Sequence, residues 1–197
     1  MRKSLKGKRD EVLFRFFQKE LEILKQQANK EEIDLYYFDG TGVNLNPNVP
    51  YCWTKKGQTS ILPAIRSEGY TILGLLNIHK NQFQGNLYEG AANAECVIQT
   101  LDELSNNLER KTIIVLDNAS IHKAIIVQIK MTEWRNKGMF LQFIPAYSPE
   151  LNLIEILWKM MKHFWLEPIH YSSIQVLKES IIHILQNYGD SYSISFG

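Results

Sequence analysis

The sequence predicts an α/β fold in which a mixed β-sheet is flanked by α-helices. Three observations predict it. Short apolar runs between turn residues, such as IDLYYFD (33–39) and TIIVLD (112–117), have the length and composition of buried strands. Longer stretches, such as 93–108 and 148–165, carry apolar residues at helical steps of three and four. Strands come first, and then helix and strand alternate, which implies an antiparallel start joined to a crossover unit.

Each element has its own warrant. Residues 10–30 read as a helix with Val12, Phe16, Leu21 and Leu24 near one stripe. The first strand, 33–39, ends in an acid. Residues 40–58 read as turn-rich, because Gly40, Gly42, Pro47 and Pro50 break regularity. Ile61–Ile65, Tyr70–Ile78 and Phe83–Tyr88 are further strand candidates. Asn93 is a plausible N-cap for a helix with Val97, Ile98, Leu101 and Leu104 on one face. Strand 112–117 again ends in an acid, and 121–136 reads as helix before strand 139–144. Ser148-Pro149-Glu150 has the cap, the first-turn proline and the acid of a helix start. Leu151, Ile154, Trp158, Met161 and Trp165 follow at core spacing. A last helix opens at Ser172, with Gln175 three residues on as a capping box. This order is compatible with a ribonuclease H-like fold.

The totals narrow the class. The chain has 197 residues, of which 45% are hydrophobic, enough for one sizeable core. The net charge of +1 decides nothing about nucleic acid, since the distribution of charge matters. Residues 1–9 concentrate Arg2, Lys3, Lys6, Lys8 and Arg9 without an acid, either a phosphate-contacting arm or a solvated tail. The division expected is a basic arm and helix over 1–30 and a ribonuclease H-like domain over 31–190. Two cysteines, Cys52 and Cys96, make neither a disulfide framework nor a zinc site. There is no signal peptide pattern and no run of about 20 apolar residues. A cytoplasmic protein without membrane contact is the expectation.

Two acids, Asp39 and Asp117, end strands, where ligands of α/β sheets gather. Each alone could equally be a turn residue. Glu155 flanks the apolar stripe of its helix; it is either a ligand or the i,i+4 partner of Lys159. Phosphodiester chemistry explains three carboxylates together. Two divalent ions activate the attacking oxygen, neutralise charge and stabilise the leaving oxygen. Oxygen-only ligands suit Mg²⁺, with Mn²⁺ able to substitute, whereas the five histidines show no zinc-type spacing.

FDGTG (38–42), VPYCWTKKG (49–57), VLDNASIHKA (115–124) and IPAYSPELNLIEILWKMMK (144–162) together resemble bacterial insertion-sequence transposases of the mariner superfamily, which carry an Asp-Asp-Glu triad. The resemblance implies a ribonuclease H-like fold and Mg²⁺-dependent cleavage and joining of DNA strands at transposon ends. It places the triad on Asp39, Asp117 and Glu155, with Glu150 a helix-start residue. It also implies a dimer on DNA. Only 38 residues precede Asp39, too few for the family's paired helix-turn-helix modules. An upstream-frame helix-turn-helix protein is therefore an expected partner, and a catalytically silent truncated remnant is the alternative. Gly40 stands where relatives often have a second acid. The 38-residue step from Asp117 to Glu155 is long, with the excess expected near Thr132–Gly138.

Supporting residues carry two readings each. Asn118 orients a metal-bound water or the DNA backbone, or simply turns the chain. His122 contacts the scissile phosphate, or is structural. Trp53 beside Lys55 and Lys56 suits base stacking with phosphate contact, or packs on the sheet edge. Lys159 and Lys162 steer DNA, or form a solvated helix face.

Overall fold

A computed structural model describes residues 6–46 and 69–196. Trp53, Lys55, Lys56 and the expected strand Ile61–Ile65 lie outside the described residues. Five strands form one sheet: β1 (Asp34–Asn44), β2 (Gly69–Asn77), β3 (Gln82–Glu89), β4 (Thr112–Leu116) and β5 (Met139–Phe143). Their spatial order is β3-β2-β1-β4-β5, with β1 antiparallel to β2 and parallel to β4. This is the mixed sheet with a crossover half that the element order implies.

The helices are α1 (Glu11–Asn29), α2 (Ala94–Ser105), α3 (Ile125–Asn136), α4 (Ile154–Met160) and α5 (Ile174–Gln186). Alternation along the strands divides the core in two. Leu35, Tyr37, Ile113 and Val115 face a cluster built with α1, α4 and α5. Tyr36, Phe38, Ile114 and Leu116 face a second cluster with α2 and α3. No helix among the described residues is long and apolar enough to cross a membrane.

Several boundaries differ from expectation, for identifiable reasons. β1 continues through Gly40 and Gly42, which read as turn. Its ladder with β2 runs on to Asn44↔Gly69, and those backbone bonds override poor local propensity. On α1, Val12 and Phe16 are 80% and 55% exposed, while Phe14, Phe17, Leu21, Leu24 and Ala28 pack inward. At about 100° per residue, Val12 and Leu21 lie on opposite sides, so the expected stripe mixed two faces. Asp10 caps α1 by accepting from the Val12 and Leu13 amides.

The Ser148 start is also displaced. Pro149–Leu151 form one 3₁₀ turn, the chain is extended at Asn152, and α4 begins only at Ile154. Ser148 caps nothing; its hydroxyl donates to the Ala146 carbonyl. The last helix is capped by Ser173, not Ser172, and Gln175 bonds Glu179 instead of closing a capping box. The helix expected at 121–136 is split into a 3₁₀ turn, Ser120–Lys123, and α3. Only Lys137 and Gly138 separate α3 from β5, so no long loop occupies that junction.

Candidate active site

The sheet itself brings two of the acids together. β1 and β4 are parallel neighbours in the register Tyr37↔Val115. Asp39 and Asp117 each stand two residues beyond that pair, Asp39 still within β1 and Asp117 just past the end of β4. Asp39 shares the parity of Tyr37, whose face is covered by α4. Glu155 lies in the first turn of α4 and is exposed.

The three acids stand near enough to bear on one another's ionisation. Burial, then the carboxylates of Glu155 and Asp117, push Asp39 up from 3.8 to about 7, against the Gly40 amide and His122. Glu155, though its side chain is exposed, is raised by partial desolvation of its carboxyl group and by Asp117, with Lys162 opposing. Asp117 is held below the usual carboxylate range, chiefly by its hydrogen bond with His122 and also by the Ala119 amide. Like charges near one another raise the pKa of whichever can least be solvated, and here that is Asp39.

Each acid is held by specific partners. Asp39 Oδ2 accepts from the Trp158 indole Nε1 at 3.1 Å. Asp117 Oδ1 accepts from the Ala119 amide at 3.0 Å and lies 2.8 Å from His122 Nδ1. An ionised carboxylate can only accept, so that contact puts a proton on Nδ1. The His122 ring is 1% exposed and packs on Phe38 at 5.3 Å between centroids. Its Nε2 is buried without a partner among the described residues.

The remaining predicted residues divide. Asn118 donates to the Ile144 carbonyl, tying the loop after β4 to the end of β5. A cleft of about 330 Å³ opens beside it, lined by Asp117, Asn118, Ala146, Tyr147, Asn152 and Glu155 among others. Lys162 sits in a π-helical turn, Met161–Trp165, that follows α4. Burial lowers it, and the charges of Glu155 and Asp39 act the other way. Lys159 is exposed, and none of the ion pairs among the described residues joins it to Glu155. Trp158 and Met161 are buried as core residues, and Trp165 is partly buried.

Two residues that bond to the strand carrying Asp39 were not anticipated. Asn152, 3% exposed, donates to the Phe38 carbonyl at 2.9 Å. Trp158 read only as core. Its position one turn after Glu155 was the available signal, since i,i+3 residues share a helix side.

The donor set suits a hard divalent cation. It consists of carboxylate oxygens crowded enough to repel one another, and a cation would relieve that repulsion. Among the described residues, no three His, Cys, Asp or Glu side chains already close around one ion position. Asp39 is turned onto Trp158 and Asp117 onto His122.

A pH effect follows. In the folded chain Asp39 keeps its proton up to about pH 7, whereas in the unfolded chain it loses it near 3.8. Between those values the folded state binds more protons, so stability falls as pH rises. Glu155, also raised, acts in the same direction. His79, lowered by burial, acts oppositely below 6.5 and cancels when two variants are compared. Thermal melts should show that Asp39→Asn flattens the loss of Tm between pH 5 and 8 relative to wild type. Equal slopes in the two proteins would contradict the crowding of acids described above.

Comparison with known proteins adds to this geometry. Residues 34–178 match the family described as DDE superfamily endonuclease. An insertion element IS630 uncharacterized 39 kDa protein of Shigella sonnei is 26% identical over 159 residues, covering 79% of this chain and 45% of that protein. The Mos1 transposase paired-end complex with left transposon end superposes with a TM-score of 0.60 at 20% identity, over 90% of this chain and 55% of that one. The Mos1 mariner paired-end complex with Mn gives 0.58 at 19% identity, over 90% and 56%. The shared fold is ribonuclease H-like. The chain spans about half the length of these relatives.

Proposed function

Because the chain belongs to the DDE superfamily endonuclease family, we propose that it is the catalytic part of a metal-dependent DNA transposase that cleaves and joins strands at the ends of an insertion element. The observation that carries this reading is the coupling of Asp39, Asp117 and Glu155 across β1, the end of β4 and α4. The catalytic unit is taken as residues 31–190, preceded by a basic arm and helix over 1–30. The three acids would hold two Mg²⁺ ions, and the Mos1 mariner complex with Mn supports Mn²⁺ as a substitute. Bound there, the ions supply activation of the attacking oxygen and charge neutralisation at the phosphate.

The chain's own groups do the rest. His122 holds the Asp117 carboxylate by one oxygen and thereby orients it. Asn118, through Ile144, fixes the loop that carries Asp117. Lys162 offers the nearby positive charge for a DNA phosphate, with Lys159 further out on the same helical segment. Trp53, Lys55 and Lys56 are assigned to the DNA backbone and bases on composition alone. The partners are transposon ends and target DNA, engaged as a dimer at the nucleoid, together with an upstream-frame helix-turn-helix protein. No serine or tyrosine nucleophile is required.

The test is strand cleavage on DNA carrying the element's own termini, with Mg²⁺ or Mn²⁺, using the chain alone and fused to the upstream frame. Nicks at the element ends are expected in the fused form. DNA binding without cleavage in both forms and both metals would establish the silent remnant instead.

A further inference from the structure

We propose that Trp158 is a positioning residue for Asp39, holding the first acid in register with Glu155 through its indole N–H, with Asn152 anchoring the adjoining peptide. The proposal rests on the endonuclease reading of the three acids. Two hydrogen bonds join the segment that carries Glu155 to the middle of β1. One runs from Trp158 Nε1 to Asp39 Oδ2 over a separation of 119 residues. The other runs from Asn152 Nδ2 to the Phe38 carbonyl over 114 residues. Glu155 lies between the two anchors, three residues from each. Helical geometry puts Glu155 and Trp158 on one side of α4, so seating the indole on Asp39 also sets where Glu155 stands.

The ring is oriented from behind as well. Gly74 faces Asp39 across the β1–β2 ladder. A Cβ at Gly74 would come within 2.8 Å of the Trp158 ring and 2.5 Å of Phe83. Phe83 and Trp158 meet edge to face at 5.8 Å. A glycine there leaves the slot in which the indole lies. An indole donates and cannot accept, so the bond favours the ionised carboxylate. A carboxylate free to rotate presents either oxygen to the cleft, whereas one held by an indole presents a defined one.

The test uses Trp158→Phe, which keeps a ring against Phe83 and removes only the donor. Its Mn²⁺ affinity by calorimetry should be weaker by about tenfold, the scale of one hydrogen bond to a charged group. In cleavage assays the half-saturating Mn²⁺ concentration should rise by a similar factor, with a smaller change in rate at saturation. A second measurement does not depend on that variant folding. The ¹⁵N-indole resonance of Trp158 in labelled protein should shift in Asp39→Asn and on adding Mg²⁺ to wild type. If wild type binds Mn²⁺ and Trp158→Phe binds it equally, or if the resonance ignores Asp39→Asn, the positioning role is overturned and the endonuclease reading stands. If wild type binds no Mn²⁺ and does not cut, the endonuclease reading falls and takes this role with it.

Discussion

Asp117→Asn is expected to lower metal-dependent cleavage by at least about 10³-fold, equivalent to about 4 kcal/mol of lost transition-state stabilisation. The substitution is nearly isosteric. The Asn side-chain oxygen can still accept from the Ala119 amide and from His122 Nδ1, so the loop after β4 should keep its course. What disappears is the Asp117 charge, the one carboxylate of the three held below its ordinary pKa. Single-turnover cleavage measures the loss, and a gel-shift assay on the same DNA should show little change in binding. A variant that cuts at the wild-type rate would remove Asp117 from the catalytic set. Stability should fall slightly as well. His122 and Ala119 hold Asp117 below its ordinary pKa, so its ionisation stabilises the fold above the unfolded value near 3.8 and ceases to do so as pH drops below it.

The largest effect on stability is expected at Trp134, on the opposite face of the sheet. Trp134 is fully buried against the cluster of α2, α3, β4 and β5. Its indole Nε1 donates to Asp102 Oδ1 at 2.6 Å, and Lys130 pairs with the other oxygen at 3.0 Å. Trp134→Ala leaves a cavity the surrounding elements cannot fill, at a cost of about 3–5 kcal/mol. Trp134→Phe retains most of the apolar volume and should cost roughly 1–2 kcal/mol, mostly the lost hydrogen bond. Denaturant unfolding with an unchanged slope would measure both. Were Trp134→Ala within about 1 kcal/mol of wild type, α3 would not be seated as described.

The two variants read separate faces. Asp117→Asn should change chemistry with little effect on folding. Trp134→Ala should change folding and reach cleavage only through the population of folded protein. A large cleavage defect in folded Trp134→Ala would mean that the two faces are coupled through β4, whose residues alternate between the clusters.

Much of this protein was written in local patterns. Buried parallel strands are continuous apolar runs, so β1 and β4 stood out, and with them the acids at 39 and 117. Helical periodicity located α2, α3 and α5 to within a few residues. What no local pattern encodes is which distant group completes each one. The extension of β1 through Gly40 and Gly42 depends on β2 supplying a ladder. The late start of α4 depends on Asn152 finding the Phe38 carbonyl, a bond the extended backbone at Asn152 accompanies. The double apolar character of α1 hid its packed face, because periodicity shows that stripes exist and only docking shows which one is covered. Trp158 read as core and is core, yet its one polar atom meets Asp39. Secondary structure and the chemical type of the site are set by neighbours in the chain, at short range. How near Asp39, Asp117 and Glu155 stand to one another is set by strand register and helix docking, which are sums over contacts between residues far apart in sequence.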